Sequence, residues 1–383
     1  MSPPRVTVLM AVHNGSALIG QAIESVLAQT LSDLELLIVD DASTDPTVEI
    51  VRSYPDPRIR LLQNERNVNQ VVSLNRGLQE ARSGYVARID HDDLALPSRL
   101  ERQAALLDSK PDVGVAGTWM DIRDLDGELR DRLTGRVSDY PDFVFALLTE
   151  RELLGHPSVM FRRDAVLALG GYDESMRWAE DLDLWTRLAL GRWSAAVIEE
   201  PLVVYRWHAR QQSSTSRDLQ HAARARALER YAAALAGEEH ARLLSLLLGR
   251  RPDLLGESDP RRAPQALDAL LAGAKERLPL SDAEARRFES LVRARMRHLA
   301  LRAWKLGPDG QRQVGGPLWG WVGGRPAVQS ALTAAAPALY TTRRVRIRVT
   351  DSVHASRHAH RLKRIGRRSE HLTRLYRRVV SDR

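Results

Sequence analysis

Three acidic clusters and one histidine in the first 210 residues could each do a distinct piece of chemistry. Asp90-x-Asp92 is the sharpest. Carboxylates at i and i+2 leaving a strand can meet one hard cation and the phosphate oxygens it bridges, and Mg2+ and Mn2+ take one or two carboxylates plus diphosphate and water. The same aspartates also read as a turn capping the helix that Pro97 opens, with Asp93 as the cap. Asp40-Asp41 closes the apolar run LELLIV. In Trp178-Ala179-Glu180-Asp181 the acids begin a helix, where its dipole favours them, yet one of them aimed into a crevice would serve as a general base. His208, in Tyr205-Arg206-Trp207-His208, becomes a metal ligand only if the fold returns it to Asp92.

The elements around these residues predict how they are held. Strands are expected at 5–11, 34–39, 59–62 and 85–89, with helices over 18–30, 68–82 and 97–107. That alternation means a mostly parallel sheet in an α/β domain, whose strand carboxyl ends form the ligand crevice. The two aspartate clusters should therefore face one pocket. Further on, 113–119, 157–161 and 195–205 read as extended, 181–190 as helical, and 121–140 as a charged loop. After residue 216 the chain turns helical and rich in alanine, leucine and arginine up to about 302. The segment 307–324, with seven glycines, two prolines and two tryptophans, reads as a turn-rich linker. The domains expected are 1–220, an accessory helical region 221–306, and a linker with basic tail 307–383.

Composition excludes several classes. With 43% apolar and 28% charged residues in 383, the chain is neither collagen-like nor mostly disordered, and without cysteine it has no disulfide or thiolate chemistry. The N-terminus lacks the pattern of a signal peptide, and no apolar stretch reaches the roughly 20 residues that span a bilayer. The expectation is a cytoplasmic protein. Of the net charge of +8, residues 341–383 carry +11, leaving −3 for the other 340. Such a tail is a solvated face, a peripheral contact for an anionic membrane, or a polyanion site. Nucleic acid is disfavoured, because neither zinc-finger spacing nor aromatic platforms accompany the charge.

In order and spacing, VTVLMAVHNGSALIGQAIESVLAQTLSDLELLIVDDASTDPT, LNRGLQEARSGYVARIDHDDLALPSRLERQAALL, HPSVMFRR, GGYDESMRWAEDLDLWTRLAL and VYRWH resemble a family 2 glycosyltransferase over about residues 5–210. The resemblance implies an α/β GT-A fold, a mostly parallel mixed sheet flanked by helices, followed here by a mainly helical C-terminal region. It implies an inverting, metal-dependent transfer of one sugar from a UDP-sugar, with dTDP-sugar second, to a glycan or lipid-linked glycan acceptor in cell-surface polysaccharide synthesis. By carry-over, Ala11, Val12 and His13 line base and ribose, Asp41 accepts the base N3–H, and Asn75 and Arg76 lie near ribose or diphosphate. Asp90 and Asp92 form the DxD pair, with Asp92 and His208 ligating Mg2+ or Mn2+, and Asp181 is the base. The QxxRW motif of processive relatives is absent, so one sugar per encounter is expected.

Two rival readings stand beside this one. The chain could be a nucleotide-sugar-binding module without turnover, or a polyanion-binding protein acting through its basic tail. The identity of the sugar, the acceptor and the oligomeric state have no motif in the sequence.

Overall fold

A computed structural model describes residues 3–209, 211, 216–249, 259–304 and 316–322. The basic stretch 341–383 and most of the glycine-rich segment lie outside the described residues. The chain divides into two units, Met1–Ser245 with Ala269–Phe288, and Leu246–Asp268 with Glu289–Arg383.

The first unit is built on one nine-stranded mixed sheet. Its strands are β1 (Val6–Val12), β2 (Leu34–Asp40), β3 (Ile59–Gln63), β4 (Tyr85–Arg88), β5 (Leu94–Ala95), β6 (Val113–Arg123), β7 (Leu129–Leu133), β8 (Met160–Arg162) and β9 (Ser194–Arg206). They lie in the order β3-β2-β1-β4-β8-β6-β9-β5, with β7 paired to β6. β3, β2, β1 and β4 run parallel, and β8 is antiparallel to both β4 and β6. Every residue of β1 and β2 is buried, as continuous apolar runs covered on both faces require.

Helices α1 (Ile19–Leu27), α2 (Thr47–Arg52), α3 (Gln70–Glu80) and α4 (Arg99–Ser109) connect these strands. Val8, Met10, Leu36 and Ile38 pack with Ile19, Ile23 and Val26 in one core. On the other face α3 lies so close that a Cβ on Gly77 would sit 2.2 Å from Leu9 Cδ1 and 3.1 Å from Val39 Cγ2. The chain continues through α5 (Tyr140–Leu148), α6 (Arg163–Ala168), α7 (Glu180–Leu190) and α8 (Arg217–Ala236). Three more long helices, Glu238–Leu248, Ala263–Arg277 and Asp282–Trp304, complete the expected helical region. In the second unit Arg293 lies over the Trp321 ring at 4.4 Å, and Trp321 Nε1 donates to Asp268 Oδ1 at 2.8 Å. No helix among the described residues is long and apolar enough to cross a membrane.

The stretch 121–140 is not the loop expected from its charge. β6 runs on to Arg123 and returns as β7, whose edge is dressed with ions: Asp121 accepts from Arg132 Nε at 2.6 Å and from Arg123 Nη2 at 2.9 Å. Charge on a sheet edge blocks further pairing, and it also hides the strand's apolar alternation. α5 then starts at Asp139, whose side chain caps the Asp142 N–H at 2.8 Å.

Candidate active site

Register sets the first part of the site. Val12 pairs with Asp40, so β1 and β2 end at one level, beside the end of β4. Successive residues of a strand face opposite sides, and this separates the neighbouring acids. Asp40 turns toward the α1–α2 side, where its Oδ2 accepts from Ser43 N–H at 3.2 Å and its buried Oδ1 has no partner among the described residues. Asp41 turns toward α3. Its buried carboxylate accepts from Asn64 Nδ2 at 2.7 Å and from the N–H groups of Val68 and Asn69 at 2.9 Å each, using three of about four acceptor positions. Ala11 and Val12 are buried at the end of β1, the Asp41 N–H donates to Val12 O at 2.8 Å, and His13 Nδ1 lies 2.9 Å from Asp41 O. The loop after β1 presses on the aspartate turn, since a Cβ on Gly15 would meet His91 Cδ2 at 2.5 Å.

β4 delivers the second part. Asp90, Asp92 and Asp93 offer carboxylate oxygens within 4.8 Å of one another. The pairing of β5 with β9, Leu94 opposite Val204, brings the far end of β9 back onto this turn. There the Arg206 N–H donates to Asp93 Oδ1 at 3.0 Å, its guanidinium donates to Asp92 O, and His208 Nε2 lies 3.0 Å from Asp92 Oδ2. Asp93 is fully buried, and burial with the charges of Asp90 and Asp92 holds its carboxyl well above the usual range; its Oδ2 has no partner among the described residues. It does not cap the helix after Pro97: the N-cap is Ser98, and Asp93 is taken by β9.

Beneath the turn lies Arg88, 1% exposed, paired with Asp90. The buried Arg99 supports it from below, donating from Nη2 to Arg88 O at 2.6 Å and to Val159 O at 3.1 Å.

The third part is the start of α7. The buried Tyr172 hydroxyl bonds His156 Nε2 at 3.0 Å. Burial pushes that phenol up, Arg88 opposes, and the charges of Glu180, Asp181 and Asp90 push it further, so both acidic motifs act on one hydroxyl. His156 is held well below its ordinary value, first by burial and then by Arg88. Glu180 is 7% exposed and pushed up to about 7 by burial and by Asp181, against the donated N–H of Trp178, which lies 2.9 Å from its Oε2. Asp181 is half-buried, and its Oδ1 accepts the Leu182 N–H at 2.7 Å. Left-handed backbone at Asn14, Ala42, Asn69 and Trp178 marks the segments leaving the strands and entering α3 and α7.

Asn75 and Arg76 bind neighbouring elements of the same unit. Asn75 exchanges hydrogen bonds with the Tyr172 backbone at 2.8 and 2.9 Å, and the exposed Arg76 donates to Gln63 O and Asn64 Oδ1. Sequence reasoning passed over Arg88, His156, Tyr172 and the environment of Glu180. A charged residue inside the strand pattern YVAR is a legible signal for Arg88; His156 and Tyr172 lie in the HPSVMFRR and GGYDES stretches of the resemblance, which give neither a role.

The donor set suits a hard divalent cation. Three carboxylates and one imidazole make an oxygen-rich group, and the buried Asp93 Oδ2, which has no partner among the described residues, is an acceptor that a cation or its water would satisfy.

The sequence profile described as Glycosyl transferase family 2 matches residues 7–169. EpsE of Bacillus subtilis (strain 168), which carries a glycosyltransferase name, is 36% identical over 191 residues, 49% of this chain and 67% of that protein. WbnJ of Escherichia coli, named an O-antigen biosynthesis glycosyltransferase, is 30% identical over 215 residues, 53% of this chain and 80% of that one. Among solved structures, S. aureus TarS 1-349 in complex with UDP-GlcNAc has a TM-score of 0.53 at 16% identity, covering 89% of this chain and 91% of that chain. The likeness to TarS is one of fold.

Proposed function

The chain belongs to glycosyltransferase family 2, folded as a GT-A domain followed by a helical part, and from that premise we propose a metal-dependent, inverting enzyme that moves one sugar from a UDP-sugar to an acceptor hydroxyl. A dTDP-sugar is the second choice, since both bases present the same N3–H. The UDP-GlcNAc of the TarS complex supports the donor class, and the O-antigen name of WbnJ supports a cell-surface glycan as the product. The observation that carries the reading is the closure of β9 on the aspartate turn, with His208 Nε2 3.0 Å from Asp92 Oδ2.

In this reading Asp92 and His208 hold Mg2+ or Mn2+, with Asp90 toward the diphosphate. Bound there, the cation supplies Lewis-acid neutralisation of the departing diphosphate. Arg88 fixes Asp90 from below. Ala11, Val12, His13 and Asp41 form the wall for base and ribose. Asp181 takes the proton of the acceptor hydroxyl as that oxygen attacks the anomeric carbon, because a neutral hydroxyl is a poor nucleophile. In-line displacement by a single base inverts the configuration. Residues 1–220 form the catalytic domain, and the helices of 221–306 serve acceptor placement. The role of 307–383 at an anionic membrane face, on the cytoplasmic side, belongs to the same reading.

The test is thermal unfolding with nucleotides. UDP with Mn2+ should raise the melting temperature, and Asp92→Ala should remove the gain. A wild-type protein that answers to no nucleoside diphosphate, with or without metal, overturns the donor assignment.

A further inference from the structure

Trp178 adopts φ +82°, a left-handed conformation that is a genuine outlier for a bulky aromatic residue. Such strain persists only where the surroundings over-determine it. Here they do. The Trp178 N–H is held by the buried Glu180 carboxylate at 2.9 Å, while Ala179 is fully buried and its N–H donates to Met176 O at 3.0 Å. The bend does not serve to bury the indole. The side chain stays partly exposed, and its Nε1–H has no partner among the described residues. The exposed Arg177 lies over the ring, with Cζ 4.5 Å from the centroid, and it makes no ion pair among the described residues.

An indole with one face under Arg177, and a guanidinium that has no acidic partner among the described residues, thus sit three and four residues before Asp181. A pyranose presents a C–H face that stacks on an indole, and a carboxylate or phosphate on the ring is what an unpaired arginine selects. We propose that Trp178 and Arg177 form an acceptor subsite for an acidic pyranoside, one whose ring carries a carboxylate or a phosphate. The proposal rests on the glycosyltransferase reading. Glu180 is its positioning residue, holding the strained turn that presents the ring.

The experiment is fluorine NMR on full-length protein labelled with 5-fluorotryptophan. The Trp178 signal is assigned by its loss in Trp178→Phe and, independently, by its displacement in Arg177→Ala, a change on an exposed side chain. UDP with Mn2+ is added first; if it moves no signal and no melting temperature, the donor reading fails and not this subsite. Methyl glucuronide, glucose 6-phosphate and neutral methyl glucoside are then titrated separately. The Trp178 signal should move with at least one acidic probe at about fivefold lower concentration than with the glucoside, and Arg177→Ala should erase that preference. A response to the glucuronide alone assigns a carboxylate, to the phosphate alone a phosphate, and to both a general anion. No movement of the Trp178 signal with any probe, equal response to the neutral sugar, or an unchanged preference in Arg177→Ala overturns the proposal.

Discussion

His208 Nε2 and Asp92 Oδ2 stand 3.0 Å apart across 116 residues of chain, and the sheet itself sets that distance. Arg206, two residues earlier, is pinned by its N–H to Asp93 Oδ1, so imidazole and carboxylate approach from strands already locked to each other.

Removing the imidazole therefore tests the metal without disturbing the frame. His208→Ala should weaken Mn2+ binding in the presence of UDP by about 10–100-fold while leaving the metal-free melting temperature nearly unchanged. Titration of the melting temperature with Mn2+ measures it. An unaltered midpoint would exclude His208 from the metal site.

Asp181→Asn keeps the side-chain oxygen that accepts the Leu182 N–H and removes the proposed base. Transfer should fall by about 10²–10⁴-fold, with the UDP dissociation constant from calorimetry unchanged. Loss of UDP binding in parallel would mean that Asp181 supports the donor wall instead.

Stability should depend on pH through Glu180. Its native value of about 7 lies above the ordinary 4.5, so the folded chain binds the extra proton between the two. The associated stability is complete below about pH 4.5 and is lost as pH rises through 7, at most on the order of 3 kcal/mol. Asp93, raised for the same reasons, adds to the slope in the same direction. Denaturant unfolding of Glu180→Gln between pH 5 and 8 should show a flatter profile than wild type; equal slopes would remove Glu180 from the account.

Gly77→Ala places a methyl group where Leu9 Cδ1 already sits at 2.2 Å. Overpacking of this kind costs about 1–3 kcal/mol, and here it lifts α3 from β1 and β2. A lower urea midpoint with an unchanged slope is expected. An equal midpoint would mean that Leu9 moves aside freely.

How much of this was legible depends on what each residue answers to. The alternation of strand and helix through residue 107 was visible because apolar runs and helical faces are local, and Asp90-x-Asp92 was visible because its spacing is local too. From the residues alone the return of His208 is a condition, and only the family resemblance brings it to Asp92, since the pairing of β5 with β9 depends on the whole sheet. A turn before a helix invites the reading of Asp93 as a cap; the end of β9 at residue 206 takes it instead. Asn75 and Arg76 sit in a motif whose spacing gives no sign that their polar groups are used by Tyr172 and by the end of β3. The separation of Asp40 from Asp41 follows from the pleat alone and was available from the strand boundary.

β9 lies between β6 and β5, inside the sheet, and the residues just past its end complete the aspartate turn. The segment that evolution can shuffle as one working part must therefore extend beyond residue 208, although the family profile ends at 169. A chimera joined at that limit would inherit β1–β8 from one parent and β9 with His208 from the other. Compatibility of the two would then be decided by how residues 203 and 204 seat against 94 and 95.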